Sequence, residues 1–270
     1  MVATDKVFAG SIPELYDQYL VPLIFEPYAS DLAARIARTA PRDVLETAAG
    51  TGVLTTAMVS RLPATTRIVA TDLNQPMLDY SSAKPSLRGR VTWQQADAQA
   101  LPFDDATFDV VTCQFGMMFL PDKAKGYSEA LRLLRPRGRF LFNVWGRIAD
   151  NHFADVVTEA LTALFPKDPP LFMARTPHGY HDVARIRDEL SAGGFGNISI
   201  ETVDHISKAK SARDVAVAYC QGTPLRNEIV ARDAARLEEA THVAAAALAK
   251  RFGDGAIEGL IRAHVVVAAA

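Results

Sequence analysis

Cysteine is scarce in this chain. Cys113 and Cys220 are the only two in 270 residues, too few for a disulfide framework, and neither belongs to a CxxC or Cys/His ligand pattern. A reducing compartment is therefore expected. Long hydrophobic runs are missing too: no stretch approaches the ~18 consecutive apolar residues of a membrane-spanning helix, and the opening MVATDKVFAG lacks the apolar core of a secretory signal. Both absences point to a cytoplasmic protein without a membrane span. Excess charge is also lacking, with 29 Lys plus Arg against 31 Asp plus Glu and a net charge of -2. Without a Lys/Arg cluster, holding nucleic acid by phosphate neutralisation is disfavoured. The six histidines show no HxxxH or comparable spacing, so no metal site is expected.

What is present is ordinary globular material, 49% hydrophobic and 22% charged. A chain of this length makes one large α/β domain or two small ones and buries roughly 70–75% of its unfolded surface. From Asp43 to Trp145, short β-branched runs alternate with amphipathic stretches, the pattern of crossover units and a mostly parallel sheet. Strands are expected at Val44 to Thr47, Arg67 to Asp72, Val91 to Gln95, Phe108 to Cys113 and Arg139 to Trp145. Helices are expected at Gly52 to Leu62, Gln75 to Ser82 and Ala124 to Leu134.

The flanks read differently. Ser11 to Thr39 predicts one or two packing helices interrupted by Pro22 and Pro27. Ala149 to Tyr180, with four prolines around a short apolar helix (Phe153 to Leu164), reads as an inserted cap. A helix from Asp182 to Ala192, a strand from Ile198 to Ile206, a helical insertion from Ala212 to Phe252 and a last strand from Ile261 to Val267 complete a seven-stranded sheet. The expected organisation is a single domain: an N-terminal helical segment (1–40), a core (41–148), the cap (149–180) and a C-terminal part of the sheet (181–270) with its helical insertion at about 211–252.

The most informative segment is VLETAAGTG, Val44 to Gly52. Strand, glycine turn and helix start follow in that order, and Gly50 and Gly52 permit positive φ and close approach of a ligand to the main chain. Asp72 closes the next strand, where a carboxylate can accept both hydroxyls of a ribose; its competing role is to cap the following helix. Asp97 with Ala98 follows the third strand and can read the edge of an adenine, although a turn role is equally open to Asp97. A dinucleotide dehydrogenase would need a third glycine where this chain has Thr55, and no Walker lysine pattern is present.

These segments, with LRLLRPRGRFLFNVW, resemble in order the motifs of the class I S-adenosylmethionine (SAM)-dependent methyltransferases, particularly small-molecule enzymes similar to those of ubiquinone and menaquinone biosynthesis. The resemblance implies a Rossmann-like, doubly wound α/β fold with helices on both faces, an antiparallel last strand and a helical cap. It also implies that Glu46 and the turn Ala48 to Gly52, including Thr51, lie under the methionine part of SAM. Asp72 would take the ribose, Leu73 the adenine face, Asp97 and Ala98 its edge, and Gln114 the methyl-donor side. One departure stands out: alanines at 48 and 49 replace the usual glycine and small residue, and a methyl at Ala48 asks for negative φ there.

The expected function is methyl transfer from SAM, leaving S-adenosylhomocysteine, to a small and partly apolar organic acceptor by in-line displacement. Alignment of donor and acceptor supplies most of the rate. The segment CQFGMMFLPD lacks the Asn/Asp-Pro-Pro-aromatic grip of base-amine methyltransferases, and Phe115, Met117, Met118 and Phe119 form either an apolar wall or core. His152, His178 and His181, or Tyr16, Tyr19 and Tyr28, are within the segments that could supply a base, but no catalytic residue is assigned. Cys113, inside an apolar strand, reads as inert. A noncatalytic SAM-binding protein and, less well supported, an NAD(P)-dependent oxidoreductase are the alternatives; a homodimer is left open.

Overall fold

In the computed structural model, residues 3–8 and 10–270 are described. Seven strands form one sheet: β1 (Asp43–Glu46), β2 (Arg67–Asp72), β3 (Val91–Gln95), β4 (Phe108–Gln114), β5 (Leu134–Trp145), β6 (Asn197–Ala209) and β7 (Ile257–Ala269). Their order is β3-β2-β1-β4-β5-β7-β6, and β7 runs antiparallel to the others. This is the doubly wound sheet that the sequence pattern predicts, with the antiparallel last strand that the family resemblance implies. Helix α1 (Ile12–Leu15) leads through a π-helical stretch, Tyr16–Phe25, into α2 (Glu26–Ala37). The crossover helices are α3 (Val53–Arg61), α4 (Gln75–Ser82) and α5 (Lys123–Leu133). After β5 come α6 (His152–Leu164), the single turn α7 (Phe172–Arg175) and α8 (Val183–Ala192); α9 (Ala212–Gln221), α10 (Leu225–Arg232) and α11 (Leu237–Phe252) separate β6 from β7.

Local chemistry sets most of these boundaries. Asp122 caps α5 by accepting from the Lys125 N–H, and Asp182 caps α8 by accepting from the Ala184 and Arg185 N–H groups, each satisfying donors that the helix leaves unpaired. Pro22 does not break the leading helix as expected. It lies inside the π-helical stretch, where wider turns take up a ring and a missing donor that a regular α-helix rejects. The strand expected at Arg139 begins earlier, at Leu134, through a bulge: Phe108 pairs with Leu134 but Val110 pairs with Arg139, so residues 135–138 leave the ladder.

The chain divides into two compact units. One comprises Glu26–Val144, Tyr180–Val203 and Ala263–Ala270; the other comprises Met1–Phe25, Trp145–Gly179 and Asp204–Arg262. In the first, Leu32 and Ile36 of α2 and Leu54 and Met58 of α3 bury against Val44, Ile68, Val110 and Leu141 of the sheet. Each full truncation there would cost about 2–5 kcal/mol. The opposite face carries an aromatic layer, with Phe140 stacked on Phe142 at 4.8 Å and on Phe195 at 5.9 Å. In the second unit, α9 and α6 pack on α11 through buried Val215, Tyr219, Val157, Leu161, Ala244 and Leu248. A buried ionic cluster also holds it: Arg175 Nη2 donates to Asp5 Oδ1 at 2.6 Å and to Glu228 Oε1 at 2.5 Å, and Thr176 Oγ1 donates to Asp5 Oδ2 at 2.6 Å.

One face of the first unit's sheet changes character along its strands. Val44, Ile68, Val110 and Leu141 are apolar; two residues further toward the carboxyl ends, or four, the same face presents Glu46, Asp72, Thr112, Gln114 and Asn143. The period of two makes this a single polar row above an apolar floor.

Candidate functional site

That polar row meets the turn after β1. The turn is tied down on three sides: Ala49 N–H donates to Thr71 O at 2.9 Å, Thr47 N–H to Thr112 O at 2.9 Å, and Gly52 N–H to Ala49 O at 2.9 Å. Gly50 (φ +55) and Gly52 (φ +79) are left-handed, as expected, but so is Ala48 (φ +53). The expectation of negative φ at Ala48 is overturned, at a cost of roughly 1–2 kcal/mol for an L-residue. Close packing explains why it is held there. An added Cβ at Gly116 would lie 2.5 Å from Ala48 Cβ and 2.6 Å from Cys113 Sγ, so the Ala48 methyl fills the space that glycine leaves. Phe115, beside it, is also left-handed (φ +51). Its N–H donates to both the Asn143 carbonyl at 3.1 Å and Asn143 Oδ1 at 3.0 Å. Such non-glycine outliers collect where a site over-determines its backbone.

Two carboxylates close adjacent strands. Asp72, almost fully buried, accepts from Gly50 N–H through Oδ2 at 2.9 Å and from Asn74 N–H through Oδ1 at 2.8 Å. Burial raises its carboxyl above the ordinary value despite these bonds. The cap position of α4 is Asn74, and Asp72 makes a turn before it instead of capping the helix. Glu46 is buried beneath the turn and accepts from Thr55 Oγ1 at 2.5 Å. Desolvation pushes its carboxyl up to about 8, against the pull of the Thr55 bond and with help from the charge of Asp72. Sequence reasoning used Thr55 only as a missing glycine. Its position on the first turns of the helix after β1 is the signal that could have marked it as the partner of Glu46.

The remaining expected residues lie along the same edge. Leu73 stands 45% exposed next to Asp72, an apolar surface bare to solvent. The Ala96 N–H donates to Asp72 O at 3.0 Å, bringing the end of β3 alongside. There Asp97 is exposed and accepts from the Gln99 N–H at 2.9 Å, so it makes a turn here, and Ala98 follows it half-buried. Gln114 is buried at the end of β4, in register with Asn143. Sequence reasoning missed Thr112 and Asn143; within the row, Thr112 Oγ1 and Asn143 Nδ2 are buried without a hydrogen-bond partner among the described residues.

Other expected groups are accounted for by packing. Phe115, Met117 and Met118 are buried, with Phe115 edge-on to Tyr28 at 5.4 Å, so they are core and not an open wall. Tyr28 donates to Val203 O at 3.0 Å. Burial pushes the Cys113 thiol up to about 12, keeping it an unreactive thiol. In the other unit, His152 Nδ1 accepts from Leu260 N–H, while His178 Nδ1 lies 2.9 Å from the Gly146 carbonyl. The carbonyl can only accept, so His178 Nδ1 carries the proton and donates it. Among the described residues, no group of three or more His, Cys, Asp and Glu is arranged to hold a metal, and no helix is long and apolar enough to cross a membrane.

The residues fit a nucleoside cofactor that carries an ammonium group. A Cβ at Gly50 would meet nothing within 4 Å, so the loop's backbone is open to a ligand, and the buried Thr51 hydroxyl beside it has no hydrogen-bond partner among the described residues. A glycine loop between two acids at the carboxyl edge of a doubly wound sheet defines a nucleoside-cofactor-binding α/β protein. The comparisons narrow the class. A family model described as a methyltransferase domain matches residues 44–138. The ubiquinone/menaquinone biosynthesis C-methyltransferase UbiE of Idiomarina loihiensis is 45% identical over 172 residues, covering 59% of this chain and 68% of that protein. The demethylmenaquinone methyltransferase of Lactobacillus johnsonii is 28% identical over 168 residues, covering 58% of this chain and 68% of its own. In fold, the chain is similar to Haemonchus contortus phosphoethanolamine N-methyltransferase 2, solved with S-adenosyl-L-methionine: TM-score 0.61 and 16% identity over 99% of this chain and 60% of that one. The chain belongs to the class I SAM-dependent methyltransferases, and within them to the small-molecule type.

Proposed function

We propose that the methyl acceptor is a small quinol-like ring, met in the cytoplasm, and that the edge just described holds SAM residue by residue. The acceptor class is supported by the ubiquinone/menaquinone and demethylmenaquinone methyltransferases that the chain resembles, and the near-neutral charge supports a small molecule over nucleic acid. Within the 41–148 segment, Glu46 would pair with the cofactor's ammonium, while Thr51 and the loop from Ala48 to Gly52 would receive its carboxylate. Asp72 retains lone pairs for the ribose beyond those used by Gly50 and Asn74. Leu73 offers its exposed side chain to the adenine face, Asp97 and Ala98 its edge, and Gln114 faces the methyl-donor side.

When bound, SAM supplies a methyl group already activated on a sulfonium sulfur. The chain's own residues bind, orient and exclude water, and alignment of this kind can contribute roughly 7–11 kcal/mol to lowering the barrier. The observation that carries the reading is the pair Glu46 and Asp72, both buried at the ends of neighbouring strands with the open Gly50 loop between them. Calorimetry with SAM, S-adenosylhomocysteine and NAD tests it: the first two should bind and NAD should not. A labelled-methyl assay over quinols, phenols and carboxylates then separates enzyme from binder. Transfer to carboxylates alone, with none to quinols, would refute the acceptor class.

A further inference from the structure

At the amino ends of β1, β4 and β5, the edge opposite the cofactor loop, lies an open cavity of about 660 Å³ whose lining is dominated by arginine. Arg38 and Arg42 reach it from the segment between α2 and β1, and Arg135, Arg137 and Arg139 from the bulged start of β5. No lysine lines it. Its two carboxylates are committed inward: Asp43 Oδ2 and Asp109 Oδ1 both accept from Arg135 Nη1, at 2.7 and 2.8 Å, while Asp109 Oδ2 accepts from the Arg42 and Asp43 N–H groups at 2.8 and 3.0 Å. This clasp holds Arg135 and shapes the floor. It leaves the guanidinium groups of Arg42, Arg137 and Arg139 exposed, and among the described residues they make no ion pair. Arg38 is exposed too, within the field of Glu201.

The bulge is what gathers these charges. Removing residues 135–138 from the ladder turns Arg137 outward in a left-handed conformation, φ +72, between two further arginines. Unpaired like charges on one concave surface repel one another, and a multivalent anion relieves that repulsion. Planar guanidinium forks match phosphate oxygens two at a time, which lysines do not. The volume suits a ligand of metabolite size. It is also remote from the cofactor loop: β4 runs from the cavity at Asp109 to the site at Gln114, about 17 Å of extended chain.

We propose that this cavity binds a multivalent phosphate anion, presented by a free phosphorylated small molecule or by a phospholipid headgroup, at a site separate from the cofactor site. Pyrophosphate, titrated calorimetrically into the full chain at low salt, is the probe for the first source. Sedimentation with phosphatidylglycerol vesicles, against phosphatidylcholine vesicles, is the probe for the second. The test variant is Arg137→Ala with Arg139→Ala, both exposed on the bulge. The control is Lys250→Ala with Arg251→Ala on α11, which removes the same charge elsewhere. Thermal melts verify that both fold, and methyl transfer should be unchanged in both. Pyrophosphate affinity that weakens with salt and falls at least tenfold in the bulge variant but not in the control supports a free ligand. Sedimentation with phosphatidylglycerol alone, lost in the bulge variant only, supports the headgroup. Wild-type protein that holds neither probe, or equal binding by bulge variant and control, overturns the proposal.

Discussion

Glu46 offers the sharpest test of the site's electrostatics. Its carboxyl is fully buried, with a pKa raised from 4.5 to about 8, so at neutral pH the folded protein keeps a proton that the unfolded chain releases. A raised acid pKa has a definite sign: stability is lost as pH climbs from about 4.5 to about 8 and is level outside that window. At pH 7 the cost is close to two and a half pK intervals, or ~3 kcal/mol. Glu46→Gln removes this cost and keeps an oxygen to accept from Thr55. Urea unfolding of the two proteins without cofactor should therefore agree near about pH 4 and diverge as pH rises, with the glutamine variant more stable by ~3 kcal/mol at pH 7. SAM should reverse the ranking. Its ammonium favours the ionised carboxylate, so binding to the wild type near pH 7 should release about one proton, measured by calorimetry in buffers of different protonation enthalpy, and the glutamine variant should bind more weakly without that release. A stability difference that is constant with pH would refute the reasoning.

Asp72→Ala should weaken SAM binding tenfold or more, since it removes charge-assisted bonds of about 1.5–3 kcal/mol and frees Gly50 N–H; unchanged affinity by calorimetry would reduce Asp72 to a structural tie. Ala48→Gly should raise the melting temperature by relieving a left-handed alanine, to the extent of up to ~1 kcal/mol. Gly116→Ala should do the reverse, by about 1–3 kcal/mol, because its methyl would sit 2.5 Å from that of Ala48; equal melts for the two variants would count against the packing argument. Arg175→Ala removes the guanidinium that pairs with both the buried Asp5 and Glu228 while Thr176 still donates to Asp5, and should destabilise by about 3–5 kcal/mol, whereas Arg251→Ala, whose distant pairing with Asp155 is 3.9 Å long, should shift the denaturation midpoint little.

The sheet's layout was legible because its signals are local. Alternating β-branched runs and helix stops put β2, β3 and α4 on the expected residues, Arg67–Asp72, Val91–Gln95 and Gln75–Ser82, and the ordered motifs marked Glu46, the glycine turn and Asp72 as neighbours. Those features depend on residue type and spacing along the chain. The left-handed backbone of Ala48 was not legible, since it follows from Gly116, 68 positions away, having no side chain to oppose it. The same holds for the proton on Glu46. A carboxylate's chemistry is the same in any sequence, and only enclosure under the turn, with Asp72 nearby, lifts its pKa to about 8. The basic cavity is likewise a product of folding: residues 38–43, 109 and 135–139 are scattered in a chain of balanced charge. By itself the sequence determined which strands form and which residues head for the carboxyl edge of the sheet. Tertiary structure decided their backbone strain, their protonation and which charges are left facing water, because those properties arise from neighbours far away along the chain.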